Sequence, residues 1–158
     1  MAKSPPESSN GSGQNCIKLS IPSRLEYLGV LDQLVQAIAE QMDFDADARD
    51  AIANSVIEAA TNAVQHGHQH QSDLPVSFWF EMKGDLLDIW VHDSGPGFDL
   101  DEVTAADPTG PEGLLRSRGR GIFIMRAMMD EVEFDIRQGE GVTVHMCKQV
   151  TPPSDPGA

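Results

Sequence analysis

Hydrophobic and polar side chains follow two different periods in the first quarter of the chain. Residues 16–21 alternate between the two kinds, which is typical of a half-buried strand, and Pro22 follows as a strand breaker. From residue 24 to about residue 42 the apolar positions recur every three or four residues, as on one face of an amphipathic helix. Ser23 and Glu26 have the spacing of a capping box. This part of the chain therefore predicts a strand followed by a helix.

The rest of the chain shows a second helix, two pairs of strands and one long irregular segment. In chain order these are a helix over about 45–65 that ends at Gly67, strands over 76–82 and 86–92, a loop over 93–118, a helix over 121–129, and strands over 132–137 and 142–148. Short glycine-containing turns join each pair of strands, which predicts two hairpins. The sum predicts an α+β fold, a two-layer sandwich in which helices cover one face of a mixed sheet.

Length and composition indicate one folded domain with loose ends. A chain of 158 residues, 40% hydrophobic and 23% charged, has the size and composition of one globular domain. Its first fifteen residues contain no valine, isoleucine, leucine or aromatic residue, and its last eight hold three prolines. We therefore expect a folded domain over residues 16–150 between a disordered leader, 1–15, and a disordered tail, 151–158.

The charge balance and the cysteines exclude several classes of protein. The formal net charge of −14 repels nucleic acid and anionic membrane surfaces, so neither is an expected partner. The chain shows no apolar run long enough to span a bilayer and no signal-peptide pattern, which predicts a cytoplasmic protein. Cys16 and Cys147 lie too far apart for a metal knuckle or a redox pair, and both are expected to be ordinary strand residues.

The second predicted helix carries a polar stripe. Glu58, Asn62 and His66 are spaced four residues apart, so their side chains lie one above another on one face. Asparagine is unfavourable inside helices because its amide competes for backbone hydrogen bonds, and its presence there indicates a compensating role. A solvated helix face with an incidental asparagine is the alternative interpretation.

A second motif directly follows a strand, in the sequence Asp93-Ser94-Gly95-Pro96-Gly97-Phe98. An aspartate at a strand end followed by two glycines places a carboxylate beside backbone thin enough for an aromatic ring to lie against it. Such a carboxylate can accept a hydrogen bond from an exocyclic amine, as recognition of adenine requires. A plain glycine-proline turn with a capping aspartate explains the same residues without a ligand.

A third motif combines glycines and arginines ahead of an apolar helix, in the run from Arg118 through Gly119, Arg120 and Gly121 to Ile122. Glycines at a helix start let backbone N–H groups approach phosphate oxygens, and the helix dipole favours the anion. Four of the eleven basic residues lie between positions 116 and 126 of this acidic chain. The contrast indicates a bound polyanion, with flexibility and solubility as the alternative.

The order of these motifs is more specific than any one of them. The helix motif E-x-x-x-N, the strand-end motif D-x-G-x-G-F, a long loop, G-x-G before a helix and Gly141-Val142-Thr143 before the last strand together resemble the GHKL (Bergerat-fold) ATP-binding domains over residues 16–148. Within that superfamily, the segments 58–68 and 119–134 are most similar to the bacterial anti-sigma factor serine/threonine kinases, which are related to histidine kinase catalytic domains.

The resemblance implies a role for each matching residue. It implies that Glu58 is the general base and that Asn62 binds Mg²⁺ beside the phosphates of ATP. Asp93 would bind adenine, Thr143 would place a hydroxyl near it, and one of the arginines at 116, 118 and 120 would face the phosphates. The other ATP-binding positions that it implies are His66, Gly95, Gly97, Phe98, Arg118, Gly119, Arg120, Gly121 and Ile122. The loop over 100–118 would cover the triphosphate.

For function, the resemblance implies a Mg-ATP-dependent serine/threonine protein kinase. Its partners would be an anti-anti-sigma factor of the STAS type, phosphorylated on serine, and a sigma factor that it sequesters. A nucleotide-binding anti-sigma factor or adaptor without phosphoryl transfer is the main alternative, and a histidine kinase fragment is a less favoured one. The leucines at positions 25, 28, 31 and 34 either pack on the sheet or contribute to a homodimer.

Overall fold

A five-stranded antiparallel sheet forms one layer of the fold. The computed structural model describes residues 2–7, 15–68, 71, 73–105 and 113–152. The strands are β1 (Asn15–Pro22), β2 (Pro75–Lys83), β3 (Leu86–Asp93), β4 (Glu131–Arg137) and β5 (Gly141–Gln149), in the order β1-β2-β3-β5-β4. All four pairings of these strands are antiparallel, so the expectation of a mixed sheet is wrong. Two of the pairings are tight hairpins, and the longer connections also return the chain in the opposite direction.

Helices form the second layer and confirm the α+β two-layer sandwich. They are α1 (Leu28–Gln41), preceded by a 3₁₀ turn over Leu25–Tyr27, α2 (Ala46–Asn62), continued by a π-helical turn over Ala63–Gly67, α3 (Leu100–Ala105) and α4 (Gly113–Met128). Helix α2 packs against both α1 and α4. Asp45 caps α2 by accepting a hydrogen bond from the Ala48 N–H at 2.8 Å. None of the helices in the described ranges is long and apolar enough to cross a membrane.

The core lies between the two layers and accounts for the leucine-rich first helix. Phe78, Phe80 and Ile89 of the sheet are fully buried there, together with Leu31 and Val35 of α1. Leu28 and Leu34 are partly buried against the same core, while Leu25 is 40% exposed. The packing interpretation of this stripe is therefore confirmed for α1 itself.

The segment that was expected to be a loop contains two helices. Helix α3 and the first two turns of α4 lie within the predicted loop over 93–118; residues 106–112 are outside the described part. The predicted helix start near Gly121 is wrong because two glycines fall inside α4 and break the apolar period. Those glycines are tolerated since they permit close packing: a Cβ at Gly119 would lie 2.7 Å from the Val103 carbonyl oxygen.

Part of the predicted leader lies on the open face of the sheet. The Lys3 ammonium is 3.1 Å from an Asp88 carboxylate oxygen, and its carbonyl accepts the Trp90 indole N–H at 2.8 Å. Trp90 is fully buried beneath residues of this segment. Residues 2–7 therefore contact the sheet, although flexibility was expected for all of 1–15.

Both cysteines lie in strands and are free thiols. Cys16 in β1 is partly exposed, whereas Cys147 in β5 is buried. Burial, reinforced by the charge of Glu131, raises the pKa of Cys147 to about 11. A thiol with so high a pKa is a poor nucleophile at neutral pH, as expected for a structural residue.

Candidate nucleotide site

The polar stripe of α2 faces α4 at a glycine. A Cβ at Gly121 would lie 2.9 Å from Glu58 Oε2 and 3.2 Å from Asn62 Nδ2, so both side chains lie directly against the glycine. Asn62 is buried and Glu58 is partly exposed. The stripe is therefore enclosed between two helices, which contradicts the interpretation as a solvated helix face.

His66 lies one turn beyond Asn62, in the π-helical turn that ends the helix. Its Nε2 atom is buried and finds no hydrogen-bond partner among the described residues. Burial lowers the pKa of His66 from 6.5, and the positive charge of Arg118 lowers it further. The imidazole is consequently a neutral group beside an arginine, with one ring nitrogen available to a ligand.

Asp93 ends β3 as a buried carboxylate. It is 5% exposed, and its Oδ1 atom accepts the Gly95 N–H at 2.9 Å. Burial raises the pKa of Asp93 from 3.8, while the Gly95 hydrogen bond opposes this shift. A Cβ at Gly67 would lie 2.6 Å from Asp93 Oδ1, and one at Gly95 would overlap the Gly67 carbonyl. The absence of side chains at these two glycines therefore leaves the space that the carboxylate and its loop occupy.

Two further residues of this strand-end motif shape the loop after β3. Gly97 has φ +86°, a conformation that favours glycine, and a Cβ there would contact Ile136 at 3.1 Å. Phe98 packs edge-on against Phe134 with ring centroids 6.0 Å apart. The motif is thus packed against the sheet and is not a free turn.

Asp93, Asn62 and Arg118 are the polar residues around a small cavity between the layers. Its other lining residues are Ala59, Ala63, Val91, Phe98, Phe134, Val142 and Val144. The cavity is only about 10 Å³, close to the size of one water molecule. Ligand pockets are usually ≈ 300–1,000 Å³, so a nucleotide base requires some lining group to withdraw.

Arg118 is the lining group that fills this space. It is 8% exposed, and its guanidinium carbon lies 4.0 Å from the centroid of the Phe98 ring. Burial lowers the pKa of Arg118 to about 10, opposed by the charge of Asp93. Arg120 is exposed, and the side chain of Arg116 is outside the described part. Of the two arginines of this run whose side chains the structure describes, Arg118 and Arg120, Arg118 is the one directed into the site.

The glycines expected beneath a phosphate group occupy a different position. Gly119 and Gly121 lie in the interior of α4, not at its start. They contact Val103 and the Glu58–Asn62 pair respectively. Ile122, next to them, is 1% exposed and belongs to the core. The predicted phosphate loop is therefore a helical packing surface in this structure.

Thr143 does not lie in the cavity. Strand residues alternate between the two faces of a sheet, and β5 directs Val142 and Val144 toward the helices. Thr143 faces the opposite side, where its hydroxyl is 2.9 Å from His92 Nδ1. The expectation that Thr143 places a hydroxyl near adenine is wrong, because it assigned the residue to the wrong face.

His68 is a site residue that the sequence motifs did not reveal. It is 2% exposed, and its Nε2 atom accepts the Ser94 N–H at 2.8 Å. Its Nδ1 atom is 2.6 Å from the Ser23 hydroxyl, which donates to the Leu74 carbonyl at 2.5 Å. Ser23 is therefore not the helix cap that its spacing with Glu26 predicted. The nearest signal in the sequence was its position directly after Gly67, where the second helix was predicted to end.

The residues present fit a magnesium ion that is held mainly by a nucleotide. Within the described ranges, no group of three or more histidine, cysteine, aspartate or glutamate side chains is arranged to hold a metal ion. Mg²⁺ needs only one or two protein ligands when phosphates and water supply the rest. Glu58 and Asn62 provide suitable oxygens side by side at Gly121. The site therefore suits Mg²⁺ together with ATP and does not suit an ion held by protein alone.

Comparison with known proteins identifies the class. The histidine kinase-like ATPase domain family matches residues 21–148, and the chain belongs to this family. The serine-protein kinase RsbW of Bacillus subtilis is 32% identical over 136 residues, which cover 84% of each chain. The enzyme of the same name from Bacillus licheniformis is 35% identical over 136 residues, again with 84% of each chain covered. The chain is accordingly a serine/threonine protein kinase with an ATP-binding domain.

Solved structures support the fold. A crystal structure of the RsbU and RsbW domains of a Mycobacterium tuberculosis protein superposes with a TM-score of 0.64 at 14% identity, covering 87% of this chain and 33% of that one. A blue-light activated histidine kinase of Erythrobacter litoralis gives a TM-score of 0.51 at 23% identity, covering 82% and 42%. The α+β sandwich is thus shared with both structures.

Proposed function

We propose that this kinase transfers the γ-phosphoryl group of Mg-ATP to a serine of an anti-anti-sigma protein and that it also sequesters a sigma factor. The observation that carries the proposal is the enclosed pair Glu58 and Asn62 at the inner face of α4. Asn62 of this pair lines the same cavity as the buried carboxylate of Asp93. The similarity to RsbW serine-protein kinases supports a protein serine as the acceptor.

Adenine is the part of ATP that the cavity would bind. Asp93 uses Oδ1 to accept the Gly95 N–H, which leaves Oδ2 to accept the exocyclic amine of the base. The valines and phenylalanines of the lining would pack on the ring. Entry of the base displaces Arg118 from Phe98. The guanidinium of Arg118 then turns to the phosphates and forms ion pairs with them, which offset the loss of the stacking contact.

The glycines of α4 lower the free energy needed to shorten this helix at its N-terminus. Their backbone N–H groups lie inside the helix here, so direct contact with phosphates requires α4 to begin nearer Gly121. A glycine inside a helix is about 1 kcal/mol less favourable than alanine, and Gly119 and Gly121 therefore weaken this turn. A shortened α4 would present its N-terminus to the triphosphate.

In the proposed reaction Glu58 acts as general base. It takes the proton of the serine hydroxyl while the serine oxygen bonds to the γ-phosphorus and the bond from that phosphorus to the β,γ-bridging oxygen breaks. ADP leaves and phosphoserine remains on the partner. When bound, Mg²⁺ neutralises phosphate charge. Asn62 would hold the ion beside Glu58.

Phosphorylation would also decide which partner is bound. Phosphoserine adds a charge of about −1.5 to −2 to the anti-anti-sigma protein. A chain with a net charge of −14 repels that product, so the partner is released after transfer. The surface of the kinase is then free to hold the sigma factor.

The test separates ATP binding from transfer. Asp93→Asn should weaken ATP affinity at least tenfold in a fluorescent-nucleotide titration, because the amide offers a donor toward the adenine amine. Glu58→Gln should keep the affinity within about twofold and lower transfer from γ-labelled ATP by roughly 10²–10⁴. Glu26→Gln, an exposed glutamate paired with Arg24, is the matched control. Equal rates of transfer by wild type and Glu58→Gln would refute the assignment of Glu58 as the general base.

A further inference from the structure

The outward face of α4 carries an exposed aromatic ring between arginines. Phe123 is 69% exposed, more than any other large hydrophobic side chain in the described part of the chain. Arg120, Arg126 and Ala127 are also exposed, and their spacing of three to seven residues places them on the same side of the helix as Phe123. These four residues are called the α4 patch below.

The α4 patch is basic on an acidic protein. Six other basic side chains lie within 4.0 Å of a carboxylate, namely Lys3, Arg24, Arg49, Lys83, Arg137 and Lys148. Lys18 lies over Trp79 and Arg118 over Phe98. Among the residues that the structure describes, no ion pair of Arg120 or Arg126 occurs. Both side chains are exposed, so their positive charge lies at the surface of α4.

The α4 patch lies on the same helix as the proposed site of transfer, on the opposite side of that helix. Gly121, on the inner side, contacts Glu58 and Asn62. Phe123 follows two residues later, about 3 Å further along the axis and roughly 200° around a helix that is about 10–12 Å across. A protein bound to the α4 patch must therefore extend past one side of α4 to bring its serine to the general base.

We propose that the α4 patch is the docking surface for the protein substrate, an acidic partner with an apolar pocket that takes Phe123. The proposal rests on the kinase function proposed above and adds where the substrate binds. Buried aromatic and arginine side chains contribute most of the binding energy at interfaces, and complementary charge speeds association. The remainder of the chain, with its excess of acids, repels such a partner and so favours this orientation.

The experiment measures KM and kcat for transfer from γ-labelled Mg-ATP to a purified acidic anti-anti-sigma protein of the STAS type. The variants are Phe123→Ser and Arg126→Glu. Val30→Ser, which changes a 59% exposed residue of α1, and Arg24→Glu, which makes the same charge change near the start of that helix, are the matched controls. All four positions are exposed, so each variant should unfold within about 2 °C of wild type.

We expect KM to rise at least tenfold in both α4 variants, with kcat and the affinity for fluorescent ATP within twofold of wild type. Both controls should keep KM within twofold. Added salt should raise the KM of wild type more steeply than that of Arg126→Glu, because part of the attraction is then already lost. This combined result would support docking at the α4 patch.

Other results would overturn the proposal in distinguishable ways. If wild type labels the partner and both α4 variants keep the wild-type KM, docking occurs elsewhere while the kinase function stands. A loss confined to kcat would also reject a docking role. If wild type labels no protein although it binds ATP, the proposed function fails and the docking proposal fails with it.

Discussion

The hydrogen bonds of His68 give the site a dependence on pH. Its Nε2 atom accepts the Ser94 N–H, so this nitrogen carries no proton, and Nδ1 donates to the Ser23 hydroxyl. A protonated ring would point a second N–H at the Ser94 N–H. The neutral imidazole therefore joins the end of β1 to the loop that holds Gly95 beside Asp93.

The contribution of His68 to the free energy of unfolding follows from its two hydrogen bonds, at 2.6 and 2.8 Å, and from its exposed fraction of 2%. Each buried polar group left without a partner costs about 1–3 kcal/mol. His68→Ala should thus lower the free energy of unfolding by about 2–5 kcal/mol, out of a total near 5–15 kcal/mol. For a domain of this size that corresponds to a fall in Tm of roughly 5–15 °C.

The direction of the pH effect follows from the lowered pKa. Burial lowers the pKa of His68 below its ordinary value of 6.5, so just below pH 6.5 the unfolded chain binds a proton that the folded chain does not. Stability is complete above pH 6.5 and decreases as the pH falls from 6.5 toward the folded-state pKa. The slope is at most about 1.4 kcal/mol per pH unit for one histidine.

Urea unfolding of wild type and His68→Gln between pH 8 and 5.5 measures this effect. Glutamine cannot become charged, so the stability advantage of wild type over the variant should shrink as the pH falls below 6.5. His66, whose pKa is also lowered, and Asp93, whose raised pKa has the opposite effect, remain in both proteins and cancel in the difference. A difference that stays constant over this range would refute the assignment of His68 as a neutral buried link.

Two other structural features give direct predictions. Gly67→Ala should lower the affinity for ATP at least tenfold and the stability by about 1–3 kcal/mol, because its Cβ would lie 2.6 Å from Asp93 Oδ1. Gly29→Ala, whose Cβ meets nothing within 4 Å, is the control and should leave both unchanged or raise stability slightly, as nucleotide titration and thermal unfolding will show. Removing residues 1–7 should expose Trp90, shift tryptophan emission to longer wavelength and destabilise the sheet by about 1–2 kcal/mol, since Asp88 loses Lys3. Unchanged emission would mean that this segment does not cover Trp90 in solution.

Much of the fold and part of the site follow from local patterns in the sequence. The strands and the first two helices were predicted within a few residues because side-chain periodicity reports which face an element buries. The motifs around Glu58, Asn62 and Asp93 were also visible, since the resemblance depends on residue order and spacing alone. The structure brings Asn62 and Asp93 to one cavity between the layers and places Glu58 beside Asn62 at Gly121.

Other features depended on contacts between segments that are distant along the chain. Gly119 and Gly121 interrupt a helical pattern and predict a loop, yet α4 passes through them because Val103 and Glu58 require close approach there. The face that Thr143 occupies was decided by its pairing with His92. The sequence by itself determined the elements and the residue types at the site. Tertiary packing alone decided that Arg118 fills the cavity and that His68 links β1 to the Asp93 loop, because each of these contacts joins residues from separate elements.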